Sequence, residues 1–195
     1  MSNTVRGIDV SYWQGTIDWQ KVAGAGYAFA YVRISHGVSA DTCGHRNLTA
    51  ARDAGLRVGA YHYLEAHLPA EPQAAAFLEL LGGDPDDLPP VLDLESPKEG
   101  LDAGARALAF LRAVEAATGQ RPMVYTGLEV SGRCHLERTP ELADWPLWVA
   151  HWTSRPEPRL PAPWTSWQVW QRSNALVVPG IRGTVDLDVA RADWL

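Results

Sequence analysis

Eight short apolar runs, most of them separated by helical patterns, constrain this chain more than any other feature. They occupy residues 7–11, 27–35, 56–64, 90–95, 122–126, 146–152, 166–172 and 184–189. They are rich in Val, Ile, Tyr and Trp and bounded by Gly, Pro or polar residues, as strands are. Between the early runs the spacing predicts helices over 18–23, 46–54, 72–81 and 102–118. Gly55, Gly82 and Gly119 follow three of them, where helices commonly end. In the longest, Leu108, Leu111 and Val114 repeat at the spacing of one helix face. The alternation predicts parallel βα units.

The pattern changes after the sixth run. The link to the seventh holds Pro156, Pro158, Pro161 and Pro163, which forbid a crossover helix. A parallel connection usually needs such a crossover, so the last strands are expected to pair antiparallel. The fold class expected is α/β: an irregular TIM-like barrel of eight strands, with helices around the first part and antiparallel closing strands. A chain of 195 residues holds one such domain over 1–195, smaller than the usual βα barrel of about 250.

Composition removes other classes. A net charge of −6 argues against nucleic acid as partner. No apolar run approaches the roughly 20 residues of a membrane helix, and the N-terminal residues lack the apolar region of a signal peptide. Cys43 and Cys134 are too far apart for a CxxC motif and read as two thiols or one bridge. The histidines show no zinc spacing. The acidic run Asp84, Asp86 and Asp87 lacks the EF-hand pattern and reads as a solvated loop. No metal or cofactor is expected. Nine tryptophans against three phenylalanines leave a choice between core packing and stacking on sugars, peptides or bases.

Four acids fall at strand ends, where barrels of this type gather their sites. They are Asp9, Asp93, Glu95 and Asp186. Acids in apolar strands are costly to bury. In Asp93-Leu94-Glu95 both carboxyls share one strand face, and as like charges they push one another towards holding a proton. A neutral carboxyl beside an ionised one is the equipment for glycoside hydrolysis. A solvated strand end or a metal site stands against that reading.

In order along the chain come Gly7-Ile8-Asp9-Val10-Ser11-Tyr12-Trp13-Gln14-Gly15, Gly59-Ala60-Tyr61-His62-Tyr63, Asp93-Leu94-Glu95, and Val124-Tyr125-Thr126. Leu147-Trp148-Val149-Ala150-His151-Trp152, Trp170-Gln171 and Val185-Asp186-Leu187-Asp188 follow. This ordered set resembles the glycoside hydrolase family 25 lysozymes, the Chalaropsis-type N-acetylmuramidases, from about residue 5 to the end. The resemblance implies a flattened barrel and cleavage of the β-1,4 bond between N-acetylmuramic acid and N-acetylglucosamine in peptidoglycan, with net retention. It implies Glu95 as general acid and then base. Asp93 would stabilise the oxocarbenium or oxazolinium species, through a covalent or a neighbouring-group route, with Asp9 and Asp186 completing an acidic floor. Where the family's second strand often ends Lys-x-Thr-Glu-Gly, this chain has Arg33-Ile34-Ser35-His36-Gly37, which keeps the cation and replaces the acid.

Arg33, Tyr63, Tyr125, Trp148 and Trp152 are the expected substrate-binding residues, although the aromatic ones also suit a core. Trp13 suits either a groove wall or a loop anchor, and Trp19, Trp145, Trp164, Trp167 and Trp194 suit packing. His62 and His151 alternate away from the inward face and read as structural. The expected partner is the bacterial peptidoglycan glycan strand, met by a monomer with no nucleic acid and no membrane insertion. The expected setting is the cell wall, reached from a host cytoplasm as a phage endolysin or by another export route, with no separate wall-binding domain. A chitinase-like barrel glycosidase and a non-catalytic glycan-binding barrel are the alternatives.

Overall fold

A computed structural model describes residues 4–82, 87–96 and 102–194. Nine strands form one sheet: β1 (Thr4–Val10), β2 (Phe29–His36), β3 (Ser39–Ala40), β4 (Arg57–Tyr63), β5 (Val91–Asp93), β6 (Met123–Gly127), β7 (Leu147–Ala150), β8 (Val169–Leu176) and β9 (Val185–Arg191). Their order is β1-β9-β8-β7-β6-β5-β4-β2-β3, and β1 also pairs with β2. That pairing closes eight strands into a barrel, with β3 as a short hairpin flap on β2. The helices are α1 (Trp19–Gly24), α2 (Gly44–Asp53), α3 (Ala70–Leu81), α4 (Ala103–Thr118) and the unanticipated α5 (Leu128–Arg133). Asp18 and Asp102 cap α1 and α4 by accepting from Lys21 N and Ala105 N, which satisfies orphan N–H groups of the first turn.

One expectation on strand direction is corrected. The proline-bearing link between β7 and β8 contains no helix, yet β7 and β8 pair parallel. The extended chain crosses back over the barrel and does a helix's packing with rings. Trp164 and Trp167 lie buried in the outer core, and Trp164 Nε1 donates to Trp145 O at 2.9 Å. Apart from the β2–β3 hairpin, antiparallel pairing among the described strands is confined to β9, against β8 and β1.

Two apolar layers hold the molecule. The outer one lies between barrel and helices and includes Ile8, Val32, Leu92, Phe110, Val149 and Trp170. The inner one fills the lower barrel with Phe29, Tyr31, Tyr61, Val91, Met123, Tyr125 and Trp148. Period-two alternation sends neighbours on each strand to different layers. Room for the inner rings comes from glycine. Gly7 pairs with Phe29 and Gly59 with Tyr31, and a Cβ on either would stand within 2.4 Å of the partner ring. With the lower interior closed by rings, polar side chains are confined to the upper end.

Candidate active site

The C-terminal ends of β1, β2 and β4–β8, with the start of antiparallel β9, surround a cleft of about 660 Å³. All nine residues singled out from the sequence line it: Asp9, Arg33, Tyr63, Asp93, Glu95, Tyr125, Trp148, Trp152 and Asp186. So do Tyr12, Trp13, His36, Tyr61, Gln171 and Asn174.

β5 carries the central pair. Leu92 and Leu94 anchor the strand in the outer layer, so Asp93 and Glu95 turn inward. Asp93 is buried, while Glu95 opens to the cleft. Burial raises the Asp93 carboxyl well above its ordinary value, helped by the charges of Glu95 and Asp9 and opposed by Arg33. Glu95 is also raised, by desolvation first and Asp186 second, against Arg33. Asp186 is pushed up to about 6 by burial. Asp9 rises through burial and the charge of Asp186, against hydrogen bonds from Gln171 and Asp188. The site therefore contains an accessible carboxyl that favours its proton, above a set of acids in a low-dielectric floor.

Arg33 is held in place. Its Nε donates to Asp41 Oδ2 at 2.9 Å, and its guanidinium lies 5.0 Å from the Tyr12 ring centre. Asp41 also accepts from the backbone N–H groups of Tyr12 and Cys43, so one buried carboxylate ties the β1 exit to the β2–β3 hairpin. The β1 exit is a 3-10 turn closed by a reciprocal cap. Ser11 Oγ accepts from Trp13 N, and Gln14 Oε1 accepts from Ser11 N. The turn presents Trp13 to solvent, 74% exposed and stacked on Tyr12. Across the cleft Trp152 is 57% exposed, whereas Trp148 is 2% exposed. Trp148 therefore supports the floor more than it faces the cleft.

A polar network links the exposed wall to the floor. Gln171 Oε1 accepts from Trp152 Nε1 at 2.9 Å and from Tyr125 Oη at 3.0 Å. Its Nε2 donates to Asp9 Oδ2 at 2.9 Å. Trp148 Nε1 donates to Asp188 Oδ1 at 3.0 Å. Sequence reasoning passed over Asp41; Gln171 and Asp188 stood in the ordered motifs but were given no role.

The replaced family acid, His36, faces the cleft beside the Tyr63 ring and pairs with Glu65 at 2.5 Å. The other Glu65 oxygen lies 3.1 Å from His67 Nδ1. His62 is structural, as expected. It is buried on the outer face against Phe110, hydrogen-bonded to Ser35 and Gln73, and lowered to about 3 by burial. His151 Nδ1 accepts from Arg159 N. The two cysteines are separate thiols. Among the described residues no group of His, Cys, Asp and Glu forms a metal site, and no helix is long and apolar enough to cross a membrane. Asp84 and Asp86 lie outside the described residues. Asp87 accepts from Val58 N, an anchor on β4.

The family model for Glycosyl hydrolases family 25 matches residues 8–181. The chain is 32% identical to Lysozyme M1 of Streptomyces globisporus, over 93% of this chain and 66% of that one. It is 35% identical to the uncharacterized protein YegX of Escherichia coli strain K12, over 96% and 70%. The crystal structure of the bacterial lysozyme from Streptomyces coelicolor superposes with a TM-score of 0.84 at 30% identity, covering 96% of this chain and 92% of that one. The CTP1L endolysin superposes with a TM-score of 0.83 at 26% identity, covering 97% and 67%.

Proposed function

Because the chain belongs to glycosyl hydrolases family 25, we propose that it is a peptidoglycan hydrolase, a muramidase that cleaves the MurNAc–GlcNAc β-1,4 bond with net retention. The observation that carries this reading is Glu95, open to the cleft and biased towards its protonated form directly above buried Asp93. Glu95 protonates the leaving glycosidic oxygen and then takes a proton from the incoming water. Asp93 stabilises the oxocarbenium or oxazolinium species, and Asp9 and Asp186 hold the electrostatics of the floor. Arg33 limits how far the acids rise, since its charge opposes the shift of both Asp93 and Glu95. Tyr63, Tyr125 and Trp152 line the sugar groove, with Trp148 beneath them. Two-carboxyl chemistry calls for no cofactor. The enzyme works as a monomer at the bacterial cell wall on glycan strands, and we propose that it reaches them as an endolysin, on its likeness to one.

Mass spectrometry of peptidoglycan digests by wild type and Glu95→Gln tests this. Wild type is expected to release fragments with new reducing muramic-acid ends, and the variant to be slower by about 10²–10⁴-fold, the usual worth of a general acid–base group. Unchanged digestion by the variant rejects the assignment of Glu95 and favours a barrel that only binds glycan. Chitobiose release from chitin oligomers, without muramic ends from peptidoglycan, points to a chitinase instead.

A further inference from the structure

β2 brings two basic side chains to the cleft that strict alternation would separate. Arg33 and His36 are three residues apart, a spacing that puts side chains on opposite faces of a regular strand. Both nevertheless line the cleft. The register against β4 shifts between Arg33, which pairs with Tyr61, and Ser35, which pairs with His62. Ile34 is the extra residue of a bulge. It lies in the outer layer, and Ser35 follows it outward to hydrogen-bond His62. A bulge re-aims the side chains beyond it. Here it turns His36 inward, level with Tyr63 and, one strand on, with Asp93. At about 4.8 Å per strand, His36 stands roughly 10 Å along the rim from Asp93.

The side chain is held there. Nε2 lies 2.5 Å from Glu65 Oε1, and Glu65 Oε2 lies 3.1 Å from His67 Nδ1. Glu65 is fixed in turn by buried Gln73, whose Oε1 accepts from Glu65 N at 2.9 Å and whose Nε2 donates to Glu65 O at 3.0 Å. Gly37, at a φ of +56°, leaves room for it: a Cβ there would come within 3.3 Å of Glu65 Cγ. Of the three residues in this cluster only His36 lines the cleft, its side chain 47% exposed.

With Nε2 spent on Glu65, Nδ1 is the ring nitrogen that meets no partner among the described residues. Glu65 turns both oxygens to imidazoles, and with both rings protonated the trio carries one net positive charge. Arg33, the other base of the cleft, is committed to Asp41 and Tyr12. The remaining charged side chains that line the cleft among the described residues are acids: Asp9, Asp93, Glu95 and Asp186. The cleft therefore has a basic edge on β2 beside an acidic floor. We propose that His36 is a specificity-determining residue: the Nδ1–H of its protonated ring binds a carboxylate carried by the muramic residue of the strand. On a bare strand that carboxylate is the sugar's own lactyl group. On a strand whose lactyl group is extended it is an acid of the stem peptide. Neutral chitin offers neither.

This inference rests on the muramidase reading, and its test separates the two. Wild type, His36→Gln and His36→Lys are compared for kcat and KM at about pH 5.5, where free imidazoles are largely charged. The substrates are bare strands and peptide-bearing strands, each with its carboxyls free or converted to carboxamides. Wild type is expected to favour the free acids by at least about threefold in kcat/KM, the scale of one exposed charge pair, and chiefly through KM. His36→Gln is expected to lose that preference and His36→Lys, which keeps a charge, to retain it. Thermal unfolding shows that each variant is folded. A preference confined to bare strands assigns the lactyl carboxylate, and one confined to peptide-bearing strands assigns the stem peptide; either supports the proposal. Wild type that cleaves free and blocked strands equally overturns it and leaves the muramidase reading standing. So does a Gln variant that keeps the preference, or a Lys variant that loses it. Wild type that cleaves none of the strands defeats the muramidase reading instead. Calorimetric titration with the same strands then decides, and binding that is equal for free and blocked acids, or unchanged in His36→Gln, overturns the proposal.

Discussion

Trp148 lies within β7 and Trp152 two residues beyond its C-terminal end, and only Trp152 meets solvent. Both use their indole N–H to hold the floor, Trp148 through Asp188 and Trp152 through Gln171. The face of Trp152 stays free for a sugar ring. Removing it is expected to cost one aromatic contact, about 0.5–1.5 kcal/mol. Trp152→Ala should therefore raise KM about two- to tenfold with kcat changed less, and Trp152→Phe should recover part of the loss; steady-state kinetics on soluble glycan fragments measures both. An Ala variant with unchanged KM would take Trp152 out of the groove. At this scale the sequence was legible in parity and illegible in depth. Strand alternation turned Asp9, Asp93 and Asp186 inward, but how far a ring stands above the barrel depends on neighbouring strands. Asp41 and Gln171 were harder still. Gln171 meets Asp9 across 162 residues of chain, and no local pattern marks such a partner.

Strands and helices were legible where period and punctuation agree. α4 follows its cap at Asp102 and stops at Gly119, both visible in the sequence. The β7–β8 link was half legible. Its prolines do exclude a helix, but they do not choose a direction, and a strap carrying Trp164 and Trp167 can cross the surface without one. β3 is two residues long and α5 six, too short to leave a periodic signal. Packing inside β2 and β4 yields the element-level prediction. Gly59→Ala sets a methyl 2.3 Å from Tyr31 Cε1 and 2.9 Å from Leu88 Cβ. Overpacking of this kind costs about 1–3 kcal/mol. For a chain of this size the unfolding midpoint should fall by several degrees, at about 2–4 °C per kcal/mol. An unchanged midpoint in differential scanning calorimetry would mean that the inner layer yields more easily than its packing implies.

The molecule as a whole carries opposing pH responses. Asp9, Asp93, Glu95, Asp186 and Asp188 are all raised in the folded state. A raised acid binds more protons folded than unfolded, so stability falls as pH rises through its window. For Asp186 that window runs from 3.8 to about 6. His62 has the opposite slope. Its folded value of about 3 lies below the ordinary 6.5, so its contribution falls as pH drops through that range. His151, Asp18 and Glu137 are also lowered, but they lie at the surface, where solvent screens such effects, and the five raised acids outweigh them together with His62. The urea midpoint is expected to be higher near about pH 5 than near about pH 7.5, and Asp93→Asn to raise the midpoint at the higher pH while cutting activity. A midpoint that climbs steadily with pH would contradict this. The cost is consistent with a site that gives up stability to keep its carboxyls close together.

Barrel closure has a consequence in time. Thr4 pairs with Arg191 and Asp9 with Asp186, so the first strand stays unmated on one side until the last arrives. Contacts of such high sequence separation are slow to form. A nascent chain still lacking β9 has Asp9 without Asp186 and Asp188 and has an open sheet edge. The acidic floor of the cleft is therefore expected to be complete only once β9 has docked on β1.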